Sequence, residues 1–303
     1  MNAAKLPKTG KDDVMDILMI GNSFCYYYVE ELYGMAEAAG VKMRVCNVYY
    51  SGCRLDQHYD WWKKGEANYQ FFNTDGNGRV EAEGKVDLEW CLAQGDWDVI
   101  SLQQPTSSMT KDGAELAFEN TREHRQALLG YVMERFPEAQ VYWHQTWSHD
   151  TGYVRADGSV VDRAWQDGWF ELAQTYAFKT CAEMGVKRMN TGEAWKIFRH
   201  TYVDGEAGFP DTLCKRLGYS KFNGQPNSGD GFHDGDIGGG QYLNACVWYE
   251  VLTGLDCREN SYRPVYTHEG MTYTLEKDLV HALQESAHQA VANLHVWEAE
   301  QGI

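Results

Sequence analysis

Short apolar runs that stop at a glycine or a polar turn alternate along this chain with longer stretches whose apolar residues recur at helical spacing. Residues 17–20 form one such run, and 42–50, 97–103, 140–145 and 186–189 form four more. Unbroken apolar runs of this length suit strands buried on both faces of a parallel sheet. After the first run, Tyr27, Val29, Leu32, Tyr33, Met35 and Ala36 are interleaved with Glu30, Glu31 and Glu37, which predicts an amphipathic helix closing at Gly40. Further helices are predicted over 113–136, 163–184, 240–252 and 275–300. The resulting strand and helix rhythm predicts an α/β fold, a three-layer α/β/α sandwich with a central parallel sheet. Residues 67–84, alternating around the turn TDGNG, read as a small inserted β-hairpin. Residues 205–229, rich in Gly and Pro, read as a long loop beside a site. With residues 1–14 as an N-terminal extension, residues 1–303 are expected to form one domain.

Composition narrows the functional classes. Forty-four acidic against 27 basic residues give a formal net charge of −17, without a basic cluster. Nucleic acid and anionic membrane are therefore unsuitable partners. No apolar signal region precedes the first strand and no segment is long enough to span a bilayer, so a cytoplasmic location is expected. The eight cysteines are scattered without CxxC spacing and are expected to be reduced thiols. Asn73, Asp75, Asn77 and Gly78 match the start of a calcium loop, but Gly84 stands where its bidentate glutamate belongs.

The strongest chemical signal is the run DILMIGNSF at residues 16–24. A buried strand ending at Gly21 and followed by Ser23 presents a hydroxyl at the strand-to-helix corner, where open α/β sheets bind their ligands. Far along the chain, Asp230-Gly-Phe-His233 places an aspartate three residues before a histidine, just ahead of a helix. That spacing lets the carboxylate orient an imidazole able to take the serine proton, so Ser23, Asp230 and His233 form a candidate catalytic triad. Tyr142, Trp143, His144, Gln145, Thr146 and Trp147 crowd the end of the fourth strand. Among them His144 and Trp147 are candidates for a substrate pocket or for the core, and Asn22 is a further substrate-side candidate or a turn residue.

These motifs resemble those of the SGNH hydrolase superfamily, the GDSL-like esterases. GNSF at residues 21–24 stands where that family has GDS, Ser51-Gly52 falls at its second block, and Asp230 and His233 match its final D-x-x-H. The likeness implies an SGNH or flavodoxin-like sandwich, an acyl-enzyme on Ser23, and an oxyanion hole built from Ser23, Gly52 and a third donor. In the family that donor is the asparagine of G-x-N-D; here the third strand runs into Leu102-Gln103-Gln104-Pro105. A glutamine amide offers the same N–H group, so Gln103, the preferred choice, or Gln104 is expected to replace it. The resemblance implies a serine esterase for small O-acyl esters, a carbohydrate O-acetylesterase first of all, needing no metal or organic cofactor. A lipid esterase, a thioesterase and a non-catalytic carbohydrate-binding protein of the same fold are the alternatives. The partner is then a small-molecule or oligosaccharide ester; a homo-oligomer is compatible with the sequence.

Overall fold

The computed structural model describes residues 14–104, 118–155, 157–218 and 233–302. Five of the apolar runs become parallel neighbours: β1 (Met15–Gly21), β2 (Met43–Tyr49), β5 (Val99–Leu102), β6 (Gln140–His144) and β7 (Lys187–Met189). The hairpin expected over 67–84 is β3 (Gln70–Asp75) and β4 (Gly78–Glu81), and it is no separate appendage. It pairs antiparallel with β2, so the central sheet is mixed, in the order β4-β3-β2-β1-β5-β6-β7. The physical reason is the free edge of β2, whose unpaired N–H and C=O groups the alternating NYQFF segment covers.

Helices α1 (Val29–Ala38), α2 (Leu55–Lys64), α3 (Leu88–Leu92), α4 (Arg122–Arg135), α5 (Arg163–Met184), α6 (Thr191–Phe198), α7 (Gly240–Thr253) and α8 (Lys277–Gln301) flank the sheet. A second hairpin, β8 (Val265–His268) with β9 (Met271–Thr274), stands apart from it. The two-residue period of β1 separates two cores. Ile17 and Met19 face a core completed by α1, α6, α7 and α8, whereas Leu18 and Ile20 face one completed by α2, α3, α4 and α5. Helix α7 lies inside the first core, with all but Val251 of its residues buried, which explains its lack of a polar face. The eight cysteines form no disulfide with one another and are buried.

The segment after β6 departs from the usual exposure of loops. Residues 144–150 are all buried although five of them are polar or charged beyond His144 itself. Charge pairing makes this affordable: Arg199, 2% exposed, sets its guanidinium 3.0 Å from Asp150 and 3.0 Å from Asp211, and donates to Ser148 Oγ at 2.8 Å. Asp150 also accepts from the Cys214 N–H at 2.9 Å. Burial, with Asp211 close by, still pushes the Asp150 carboxyl up to about 7. The histidine and aspartate of this segment are thus committed to packing and to an arginine. Replacing Arg199 by leucine strands two buried carboxylates, and chemical denaturation is expected to register a loss of roughly 3–5 kcal/mol; a loss under about 1 kcal/mol would show the carboxylates to be relieved by water instead.

Candidate functional site

At the carboxyl edge of β1 the chain does not pass straight into α1. Asn22 acts as an N-cap, its Oδ1 accepting from the Phe24 N–H at 3.0 Å, and Ser23–Cys25 form one turn of 3-10 helix before the chain reaches α1. Capping residues of this kind satisfy the first free N–H groups of a helical turn. Ser23 opens that turn and is 3% exposed. The neighbouring turn at Ser51 and Gly52 is exposed, with Gly52 at φ +66, and it is tied to β1 by Tyr50 N–H donating to the Gly21 carbonyl at 3.4 Å. Cys25, though adjacent, is no competing nucleophile: burial pushes its thiol up to about 12.

Behind Ser23 runs a continuous buried hydrogen-bond chain whose polarity can be worked out from its ends. Asn22 Oδ1 accepts from the Phe24 N–H, and Asn22 Nδ2 donates to the Cys53 carbonyl at 2.9 Å. Those two backbone groups cannot reverse roles, so the Asn22 amide has one orientation. Its Oδ1 therefore also accepts from Gln103 Nε2, at 2.6 Å, which turns Gln103 Oε1 toward His144 Nδ1 at 2.9 Å. Burial holds the His144 imidazole down at about 3, hence neutral, and the single ring proton must sit on Nδ1. His144 Nε2 is then an acceptor facing Thr191 Oγ1 at 2.8 Å, a hydroxyl that also lies 2.8 Å from the Gln145 carbonyl oxygen. Gln103 also packs hard against the first strand: a Cβ at Gly21 would lie 2.7 Å from its Nε2. Glycine is required there because a side chain passes over it.

The two glutamines consequently play different parts. Gln103, preferred in the sequence as an oxyanion donor, has both amide ends engaged within the buried chain. Gln104 is anchored through Oε1, which accepts from the Leu55 N–H at the start of α2 at 2.9 Å. Asn22, His144 and Trp147, the substrate-side candidates, are 0%, 1% and 2% exposed. They lie behind the turn that carries Ser23, not at a surface: Trp147 stacks on Trp195 at 5.0 Å and meets Phe24 edge-on at 4.8 Å. Sequence reasoning missed Thr191 and the wiring of Asn22, because the partners are 31 to 81 residues apart.

His233 is half-buried, and its ring lies 5.2 Å from that of Tyr27, four residues beyond Ser23. Asp230 lies outside the described residues. Two other carboxylates follow His233 in the chain: Asp234 Oδ2 accepts from Asn244 Nδ2 at 3.1 Å, and Asp236 Oδ1 accepts from the Leu217 and Ile237 N–H groups at 2.9 and 2.7 Å. The metal-type donors that converge elsewhere, Glu250, Asp256 and Cys257, serve the fold. Arg258 grips Asp256, His288 approaches Glu250 at 2.7 Å, and Cys257 N–H donates to Glu250 at 3.1 Å.

Glu31, on α1, is an unforeseen acid beside this region. It is 5% exposed, and burial together with Asp234 and Glu30 outweighs the Tyr266 hydroxyl beside it and pushes its carboxyl up to about 8. The folded state therefore keeps a proton that the unfolded chain releases above the ordinary value of 4.5. Stability from this group is complete below that value and is lost as pH rises toward the folded value, by up to roughly 1.4 kcal/mol per pH unit. Urea melts of wild type and Glu31→Gln at pH 5, 6, 7 and 8 are expected to diverge, the variant gaining relative to wild type as pH rises; parallel profiles would mean that Glu31 ionises freely in the folded protein.

Comparison with known proteins places this geometry in a family. A crystal structure of a DUF4886 family protein from Bacteroides uniformis is 26% identical over 92% of this chain and 95% of that one, with a TM-score of 0.69. Solved structures that resemble the chain also include a candidate SGNH hydrolase from Slackia heliotrinireducens (18% identity, 78% of this chain and 98% of that one, TM-score 0.48). Another is an acetyl xylan esterase (11% identity, 78% and 100%, TM-score 0.48). No curated protein matches the chain in sequence. The domain of unknown function DUF4886 matches residues 16–211, a span that carries Ser23, Gly52, Gln103, Gln104 and His144 and ends before His233. Since that span is well over half of the 303 residues, the chain belongs to the DUF4886 family.

Proposed function

We propose that this protein is a serine esterase that removes a small acyl group, acetyl first of all, from a carbohydrate. The observation that carries the reading is the capped turn at the carboxyl edge of β1, which presents Ser23 while its own next residues meet His233. Ser23 Oγ attacks the ester carbonyl as His233 accepts its proton; the imidazolium returns that proton to the leaving alcohol oxygen, and the C–O bond breaks. Water, deprotonated by the same imidazole, then cleaves the acyl-enzyme and restores the serine hydroxyl. Asp230 is the orienting carboxylate in this scheme, a role supported by its D-x-x-H spacing.

For the developing oxyanion, the backbone N–H groups of Ser23 and Gly52 are the first two donors. Of the glutamines we assign the third donor to Gln104, because Gln103 spends its amide on Asn22 and His144 while Gln104 is held by its oxygen alone in the contacts above. The carbohydrate part of the reading is supported by the chain's 11 Trp and 19 Tyr residues and by its acidic balance, and several of those tyrosines, among them Tyr26, Tyr27, Tyr49 and Tyr50, follow β1 and end β2 beside the site. Among the described residues no helix is long and apolar enough to cross a membrane.

Hydrolysis of p-nitrophenyl acetate and release of acetate from acetylated oligosaccharides are expected for wild type and not for Ser23→Ala; equal turnover by both would end the serine mechanism. Gln104→Ala is expected to lower kcat by about 10²–10³, the usual cost of one lost oxyanion donor. An unchanged kcat in that variant would return the assignment to Gln103.

A further inference from the structure

We infer that Tyr27 is the positioning residue that sets His233 against Ser23, and that it does so with the face of its ring. The inference rests on the Ser23 and His233 reading above. Tyr27 belongs to the same short turn as Ser23, lying between the 3-10 turn and α1. Its ring is 5.2 Å from the His233 ring at an interplanar angle of 56°, and the Arg216 guanidinium sits 4.2 Å above the tyrosine. Such tilted ring contacts and cation–π contacts are directional, and they hold a side chain without using its polar atoms.

The tyrosine is itself braced. Tyr26 meets it edge-on at 5.1 Å, and Tyr26 in turn packs against Tyr49 at 4.5 Å and Phe72 at 5.0 Å. Arg79, from the antiparallel hairpin, lies 3.7 Å over the Tyr26 ring and donates to the Tyr26 carbonyl at 3.0 Å. On the other side, the chain that follows His233 is pinned to the core. Asn244 Nδ2 donates to Asp234, Trp195 Nε1 donates to Asn244 Oδ1 at 2.8 Å, and the Gly235 N–H donates to the Leu213 carbonyl at 2.8 Å. Besides the carboxylate assigned to orient it, the base is held by a following chain fixed to α6 and α7 and by a ring supplied by the turn that carries Ser23. Placing that ring four residues from Ser23 makes nucleophile and base move as one unit. A displacement of about 1 Å between reacting groups costs on the order of 100-fold in rate, so the brace has a kinetic consequence.

The test compares Tyr27→Phe, which keeps the ring face, with Tyr27→Leu, which keeps bulk and loses the ring. Fluorophosphonate labelling of Ser23 and kcat for p-nitrophenyl acetate are expected to fall about 10- to 100-fold in Tyr27→Leu with KM within twofold. Tyr27→Phe is expected to stay within about threefold of wild type, since it keeps the ring face that meets the imidazole. Leucine and phenylalanine variants that label at the same rate would overturn the inference. If melting curves show that Tyr27→Leu does not fold, Arg216→Gln decides instead: a loss of about threefold or more in labelling supports the brace, and an unchanged rate overturns it. Wild type that is not labelled at Ser23 removes the serine reading and this inference together, whereas labelled wild type with a fully active Tyr27→Leu removes this inference alone.

Discussion

The buried chain of hydrogen bonds from Phe24 and Cys53 through Asn22, Gln103 and His144 to Thr191 is the constraint on which the rest of the site depends. It joins the ends of β1, β5 and β6 to the first residue of α6, four pieces of chain that are far apart in sequence. Every member lies in a low-dielectric interior, where a mismatched donor or acceptor is costly, so Asn22, Gln103 and His144 are held in a single arrangement. The turn that carries Ser23 inherits that single arrangement through its cap. A solvated loop at the same place would leave the Ser23 hydroxyl without that fixed position.

The sheet supplies the platform and the charges behind it supply rigidity. Two separate cores hold β1 from opposite faces, so the strand that delivers the serine cannot tilt without disturbing both. On the same edge the buried pairing of Arg199 with Asp150 and Asp211 closes the segment after β6 over the sheet. This is costly chemistry to bury, and its value lies in registry: an arginine fork fits two carboxylates in few ways. The polar residues of this segment are thereby committed to the fold.

The strands were legible because apolar runs such as Ile17 to Ile20 have no other reading at that length and with those flanks. The hairpin was legible from its TDGNG turn, but its membership of the main sheet was not, since pairing with β2 is a long-range event. Helices α3 and α6 escaped detection because 5 and 8 residues give too few turns for a period to stand out. Within the candidate site, Ser23 and His233 are proposed from local motifs. His144 and Trp147 could not be assigned between pocket and core, because nothing local says that Gln103 and Trp195 cover them. Glu31 is the clearest case of tertiary context overriding pattern: one of three glutamates on an amphipathic helix, it is the one turned inward.

The wiring of Asn22 also bears on the spelling of the motif. The amide there must give a proton to the Cys53 carbonyl and receive from both Phe24 and Gln103. An aspartate, the residue that the GDS pattern sets at this position, has acceptors for the second task but, when ionised, no proton for the first. It would also bring a charge to a site with no solvent access. The asparagine of GNSF and the glutamine that follows β5 are thus halves of one lock, and in this chain neither letter can be rewritten without the other.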